Sequence, residues 1–184
     1  MRVKPVSRTG GALAEPAPHD YQLPCESVPQ FKLKKILVPI DFSECSKMAL
    51  QYAIPFAKQL KADLELLHVV VPYPAVPQME PVDVETIQDS LAGLETLRET
   101  IGDDVNCSSE VRTGMPHVEI AQEARQKDFD LIILSTHGYK GLSHLFLGST
   151  AEKVVRHAPC PVLTVRQSER GFVATQNYSK PSLY

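Results

Sequence analysis

Ser135 to Thr150 read STHGYKGLSHLFLGST, with Gly138, Gly141 and Gly148 set among Lys140, two histidines and several hydroxyl side chains. The segment follows the apolar run DLIILS and precedes AEKVVRHA, which has helical character. Glycine at a strand-to-helix junction either lets the chain turn or lets a ligand come close to bare backbone. Ser149, Thr150, Ala151 and Glu152 form an S-x-x-E pattern, a capping box that would start the last helix at Ser149. The unpaired amides of such a start, with the positive end of the helix dipole, attract an anion. Gly138 and Gly148 would let phosphate oxygens approach without meeting a Cβ. In a second loop, IDFSE, Asp41 follows another apolar run and offers a carboxylate to hydroxyl or amino hydrogens.

Each feature also has an architectural reading. The glycine loop can be a turn, Ser149 a cap, and Asp41 the initiator of the helix after it. His137 and His144 can solvate a loop, since no acidic or Cys partner stands at a ligand spacing. Lys140 can face phosphate or water. His68, on an apolar strand, reads as a satisfied core residue, and Cys45 and Cys160 as small buried fillers.

These residues need a scaffold, and the pattern between about 34 and 166 supplies one. KILVPI (Lys35 to Ile40) is the short apolar run of a strand covered on both faces. In ECSKMALQYAIPFAKQLKA, Met48, Tyr52, Phe56 and Leu60 recur at helical spacing beside Ala49, Ala53 and Ala57. Pro55 inside this helix removes one intrahelical bond or bends it. LELLHVVV (Leu64 to Val71) predicts a second strand, ended by the proline-rich PYPAVPQMEPV. Ile87, Leu91, Leu94, Leu97 and Ile101 predict a helix from about Val84 to Ile101, and VNCSSEVR a weaker strand. MPHVEIAQEARQK predicts a helix with Pro116 in its first turn and Ile120, Ala121 and Ala124 on one side. DLIIL, TAEKVVRHA and CPVLTV complete five strands alternating with four helices. The expected fold is α/β: an open five-stranded, mostly parallel sheet with helices on both faces. Ligands of such sheets bind beyond the carboxyl ends of the strands, at the topological switch point. If the first and fourth strands are neighbours, the Asp41 loop and the glycine loop face one crevice.

The 184 residues, 43% of them hydrophobic, suit one globular domain with residues left over for tails. Residues 1–33, with Pro5, Pro16, Pro18, Pro24 and Pro29, read as an appendage, and 167–184 as a polar tail. A formal charge of −3 with few aromatics supplies no broad basic surface, which argues against nucleic acid as the main partner. Cys25, Cys45, Cys107 and Cys160 are scattered, fitting neither a zinc site nor a disulfide framework. No stretch reaches the roughly eighteen apolar residues of a membrane-spanning helix, and MRVKPVSRTGG lacks the apolar core of a signal peptide. A soluble, cytoplasmic protein without membrane association is the expectation.

KKILVPIDFSECSKMAL resembles the opening of the universal stress protein family, LELLHVV its second strand, and STHGYKGLSHLFLGSTAEKVVRHAPCPVLTVR its closing third. The resemblance covers residues 34–166. ATP-binding members carry G-x2-G-x9-G-[ST]; Gly138, Gly148 and Ser149 match its main part, while Ser135 stands at the first glycine. The resemblance implies an adenine nucleotide alpha-hydrolase-like fold and binding of ATP, with Mg or Mn carried on the phosphates. It implies that Asp41 hydrogen-bonds the ribose or adenine side, with Pro39 and Ile40 beside it, and that the Val69 backbone lines the adenine pocket. Leu134 and Ser135 would lie under the nucleotide, and Gly138, Gly148, Ser149 and Thr150 would cradle phosphates. It also implies a homodimer through the last strand, residues 161–166, where Leu163 and Val165 share a face.

Three functions stay open at this point. The leading one is an ATP-binding stress or signalling module. The second is an enzyme, a slow ATPase or a phosphoryl or adenylyl transferase; the loops contain no evident base for attacking water, no Lys after the last glycine, and neither an HxGH nor an SGGxDS element. The third is a structural dimer without nucleotide.

Overall fold

The computed structural model describes residues 32–72, 84–136 and 148–166. The apolar run after Lys34 forms β1 (Lys35–Pro39), followed by α1 (Glu44–Leu60), β2 (Asp63–Val70), α2 (Val84–Glu99), β3 (Cys107–Thr113), α3 (Pro116–Gln126), β4 (Leu131–Ser135), α4 (Ser149–His157) and β5 (Val162–Val165). The strands form one five-stranded sheet in the order β3-β2-β1-β4-β5. Every pairing is parallel, including Ile36 with Leu131 and Leu37 with Ile132 between β1 and β4.

The chain moves outward from β1 through β2 to β3, then returns past β1 to β4 and β5. With right-handed crossovers, that reversal puts the first two helices on one face and the last two on the other. Two separate cores result. Ile36, Val38, Leu64 and Leu66 meet Ala49, Leu50, Ala53 and Ala57 of α1 and Leu94 of α2 on one side. Leu37, Leu67, Ile132 and Leu134 meet Ile120 and Ala124 of α3 and Ala151 and Val154 of α4 on the other. This explains the strand composition: side chains alternate between two apolar layers, so Ile36, Leu37 and Val38 are all fully buried. Leu33, at the end of the Pro-rich stretch, packs into the first core.

Helix faces differ from the expectation in two places. The buried centre of α1 is the Ala49, Ala53, Ala57 row with Leu50, while Met48, Tyr52, Phe56 and Leu60 pack half-buried on its flanks. Alanine brings the helix axis close to the sheet, and the larger side chains fill the margins. On α2, Leu91 is 39% exposed; Ser90 and Leu94 face inward instead. The helix α1 runs unbroken through Pro55, and Pro116 occupies the first turn of α3. Cys45, Cys107 and Cys160 are free and half-buried rather than fully buried.

The inner face of α3 holds a charge cluster. Glu123 is fully buried beside Ile120 and Ala124. It pairs with Arg112 from β3 and with Lys127 at 2.6 Å, and Lys127 also reaches Glu65 of β2 at 2.9 Å. Burial works against the Lys127 charge, yet its bonds to Glu123 and Glu65 push its pKa up. Two cations thus hold two buried carboxylates, with Ser108 and Glu110 of β3 and Glu119 of α3 at the margin of the cluster. Among the described residues, no helix is long and apolar enough to cross a membrane.

Candidate functional site

With β1 between β2 and β4, the loops leaving β1 and β4 start side by side at the carboxyl edge of the sheet. This is where the direction of strand addition reverses, and it is the crevice expected for a ligand. Pro39 is half-buried, and Ile40, only 3% exposed, has its side chain in the first core. Leu134 is likewise buried in the second core, and Ser135 follows it half-buried. Val69, near the end of β2, is half-buried against that same core. The segment 137–147 lies outside the described residues, and with it Gly138, Lys140, Gly141 and the two loop histidines.

Asp41 is exposed at the mouth of the first loop. Its carboxylate accepts from the Ser43 amide at 3.0 Å and from the Ser43 hydroxyl at 2.5 Å. Ser43 in turn caps α1, its Oγ accepting from the Ser46 amide at 3.2 Å. Asp41 therefore does help to start the helix after it. Burial, with Asp41 and Glu44 nearby, pushes the Cys45 thiol up. Between Asp41 and Ser43, Phe42 takes the left-handed conformation at φ 62°, and its ring lies on the His68 imidazole, centroids 4.7 Å apart. His68 is a satisfied half-buried residue, as its setting on an apolar strand suggests, because its Nδ1 bonds the Ile40 carbonyl at 2.7 Å.

The second loop ends differently from the expectation. The N-cap of α4 is Gly148, not Ser149, and among the described residues no side chain caps the helix. The capping box does not form: the Glu152 amide donates to the Gly148 carbonyl, and the Glu152 carboxylate pairs with Arg156 at 3.0 Å. Gly148 has φ −57°, so positive φ is not the reason for glycine there. The Gly148 amide donates to the Thr136 carbonyl at 2.7 Å, and the Thr136 amide to the Val165 carbonyl at 2.8 Å. These bonds pin the start of α4 to the end of β4. Ser149 is exposed and Thr150 half-buried, in the first turn of the helix.

The structure thus brings Pro39, Ile40, Asp41, Leu134, Ser135, Gly148, Ser149 and Thr150 to one edge of the sheet, with Val69 on the neighbouring β2. What reading the sequence missed is Phe42: neither composition nor spacing marks a left-handed aromatic. Glu123 was legible in part, since a Glu beside Ile120 and Ala124 with Lys127 four residues on breaks an apolar stripe.

Known proteins share this fold. Universal stress protein MJ0531 of Methanocaldococcus jannaschii is 35% identical over 145 residues, 74% of this chain and 84% of that protein. The structure of universal stress protein UspA from Lactobacillus plantarum superposes with a TM-score of 0.66 at 29% identity, covering 74% of this chain and all of that one. Two more distant structures share the fold: a universal stress protein in complex with cAMP, with a TM-score of 0.58 at 20% identity and 73% and 98% coverage of the two chains, and one from Archaeoglobus fulgidus in complex with dAMP, at 0.53, 16%, and again 73% and 98%. Residues 32–166 match the sequence profile of the universal stress protein family, and the chain belongs to that family.

Proposed function

We propose that this protein binds ATP, with a divalent ion carried on the phosphates, and acts as a nucleotide-dependent stress or signalling module. The observation that carries the reading is the contrast between the two helix starts at the switch point. Ser43 caps α1 with its side chain, whereas the N-cap of α4 is Gly148, which has none to offer. The first-turn amides of α4, at Ser149 and Thr150, are where an anion would be favoured. Gly148 precedes them without a Cβ, and Asp41 lies on the adjoining loop as an acceptor for ribose hydroxyls or the adenine amino group. Gly138 completes the phosphate cradle in this reading. Mg or Mn would be held chiefly by phosphate oxygens, as is usual for such ions with nucleotides. The cAMP and dAMP complexes of two fold relatives make an adenine nucleotide the ligand class to test first.

The deciding experiment has two parts. Nucleotide released on denaturing the purified protein is identified by chromatography, and binding of ATP with Mg is then measured by calorimetry. Bound ATP supports the module. Protein that is empty and binds no ATP turns the reading toward a structural dimer. Phosphate release of about ten per second, an ordinary enzymatic rate, would promote the enzyme reading.

Pairing of two chains along β5 belongs to the same proposal, because β5 is an edge strand of the sheet and an open edge invites a partner strand.

A further inference from the structure

We propose that His68 is a positioning residue for the nucleotide site, holding Asp41 in its working geometry through the Ile40 carbonyl and the Phe42 ring. The proposal rests on the nucleotide reading above and goes beyond it by assigning a role to a residue outside the site's own loops.

The chain is held on both sides of Asp41. The Ile40 amide donates to the Leu67 carbonyl at 2.8 Å, continuing the β1–β2 ladder. The Ile40 carbonyl is then bonded by His68 Nδ1 at 2.7 Å. A carbonyl carries no proton, so Nδ1 is the donor, and this bond selects the tautomer of the ring. Both polar groups of Ile40 are thus tied to β2, and Asp41 leaves from a fixed residue.

On the far side of Asp41, Phe42 sits at φ 62°. A non-glycine residue in that region is uncommon, and it persists where its surroundings impose it. Here the ring is held by its neighbours on β2 and α2. It lies 4.7 Å from the His68 imidazole at an angle of 43°. It also packs against the first core and lies close to Gly93 of α2, where a Cβ would come within 2.8 Å of Phe42 Cε1. One imidazole therefore bonds the residue before Asp41 and supports the residue after it. The turn that results delivers the Asp41 carboxylate to the Ser43 amide and hydroxyl, at the start of α1.

The substitutions to compare are His68→Leu, which removes the donor, His68→Asn, which keeps a donor at the δ position, and His68→Gln, which moves it one atom outward. ATP affinity is measured for each by calorimetry, alone and combined with Asp41→Ala, with apo stability followed by urea unfolding. His68→Leu should weaken ATP by about three- to tenfold, the worth of one hydrogen bond, and His68→Asn should restore most of it. If His68 acts through Asp41, His68→Leu adds little to Asp41→Ala, whereas a merely structural role would lower affinity independently and additively. Should His68→Leu fail to fold, weaker binding by folded His68→Gln than by His68→Asn supports the role, and equal binding overturns it. A parent that binds ATP and responds to Asp41→Ala, with His68→Leu like the parent or strictly additive, overturns the positioning role and leaves the nucleotide reading standing. A parent that binds no ATP removes both.

Discussion

The Gly148 amide and the Thr136 carbonyl are joined by a 2.7 Å hydrogen bond, so the loop between β4 and α4 is closed at its own base. The orientation of the first turn of α4 is thereby tied to the sheet.

Gly148 can accept a side chain on backbone grounds, since φ −57° is open to any residue. Gly148→Ala should therefore cost the apo protein about 1 kcal/mol or less, the difference between a Gly and an Ala N-cap. ATP affinity should fall about tenfold, or ~1.4 kcal/mol, if the glycine serves close approach of phosphate. Calorimetry and urea unfolding on the same preparation separate the two. Unchanged affinity would mean that the glycine serves the turn alone.

Asp41 accepts from Ser43 and in the proposed site also accepts from the nucleotide, so its substitutions act on two properties. Asp41→Asn keeps an acceptor for Ser43 and should leave apo stability nearly unchanged, while Asp41→Ala should lose about 1 kcal/mol with the hydrogen bonds at the start of α1. Both should weaken ATP, by about five- to a hundredfold for Ala. A loss of stability in Asp41→Ala with ATP affinity intact would assign the carboxylate to helix initiation only.

At the edge strand, backbone direction decides which residue to change. The carbonyls of Pro161 and Val165 accept from β4 and the residue just after it, at 3.0 Å from the Ile132 amide and 2.8 Å from that of Thr136. Leu163, at even spacing between them, turns the same way, and Val162 and Thr164 turn their backbone groups outward. Val165 is buried in the first core and Leu163 packs against it, so Lys at Val165 would test folding rather than association. Thr164→Pro removes an outward donor and spares the β4 pairing. Sedimentation should find the parent dimeric at micromolar concentration and Thr164→Pro monomeric with its fold retained. A monomeric parent would end the β5 proposal.

The charge cluster under α3 predicts a pH dependence. Burial pushes the Glu65 carboxyl up from its ordinary 4.5; Lys127 pulls it back, and Glu123 pushes it up again. An acid whose pKa is raised on folding binds its proton more tightly in the folded state. Its contribution is therefore neutral well below pH 4.5, and it costs stability as pH rises through the folded value. Glu65→Gln keeps the shape and an oxygen for Lys127 and has no such titration. The stability of the variant relative to the parent should increase between about pH 4.5 and neutrality, as read from urea midpoints. A constant difference across that range would show that Glu65 titrates as it does in the unfolded chain.

Much of this fold was legible in the chain because the signals are local. Three successive apolar residues, Ile36 to Val38, require cover on both faces, and the recurrence of Leu94, Leu97 and Ile101 requires a helix. The glycine loop and Asp41 stand out because phosphate and hydroxyl chemistry call for those residue types, and the resemblance to the family rests on the same stretches. Strand order was open, since a parallel crossover can return on either side; pairing β1 with β4 is what puts Asp41 and Gly148 at one edge. The Ala row at the centre of α1 depended on how near the helix lies to the sheet, a distance that periodicity does not contain. Gly148 as N-cap, in place of Ser149, depended on the bond to Thr136. The left-handed Phe42, held by His68 and Gly93 from two other elements, was beyond any local rule, because contacts between residues far apart in the chain impose it.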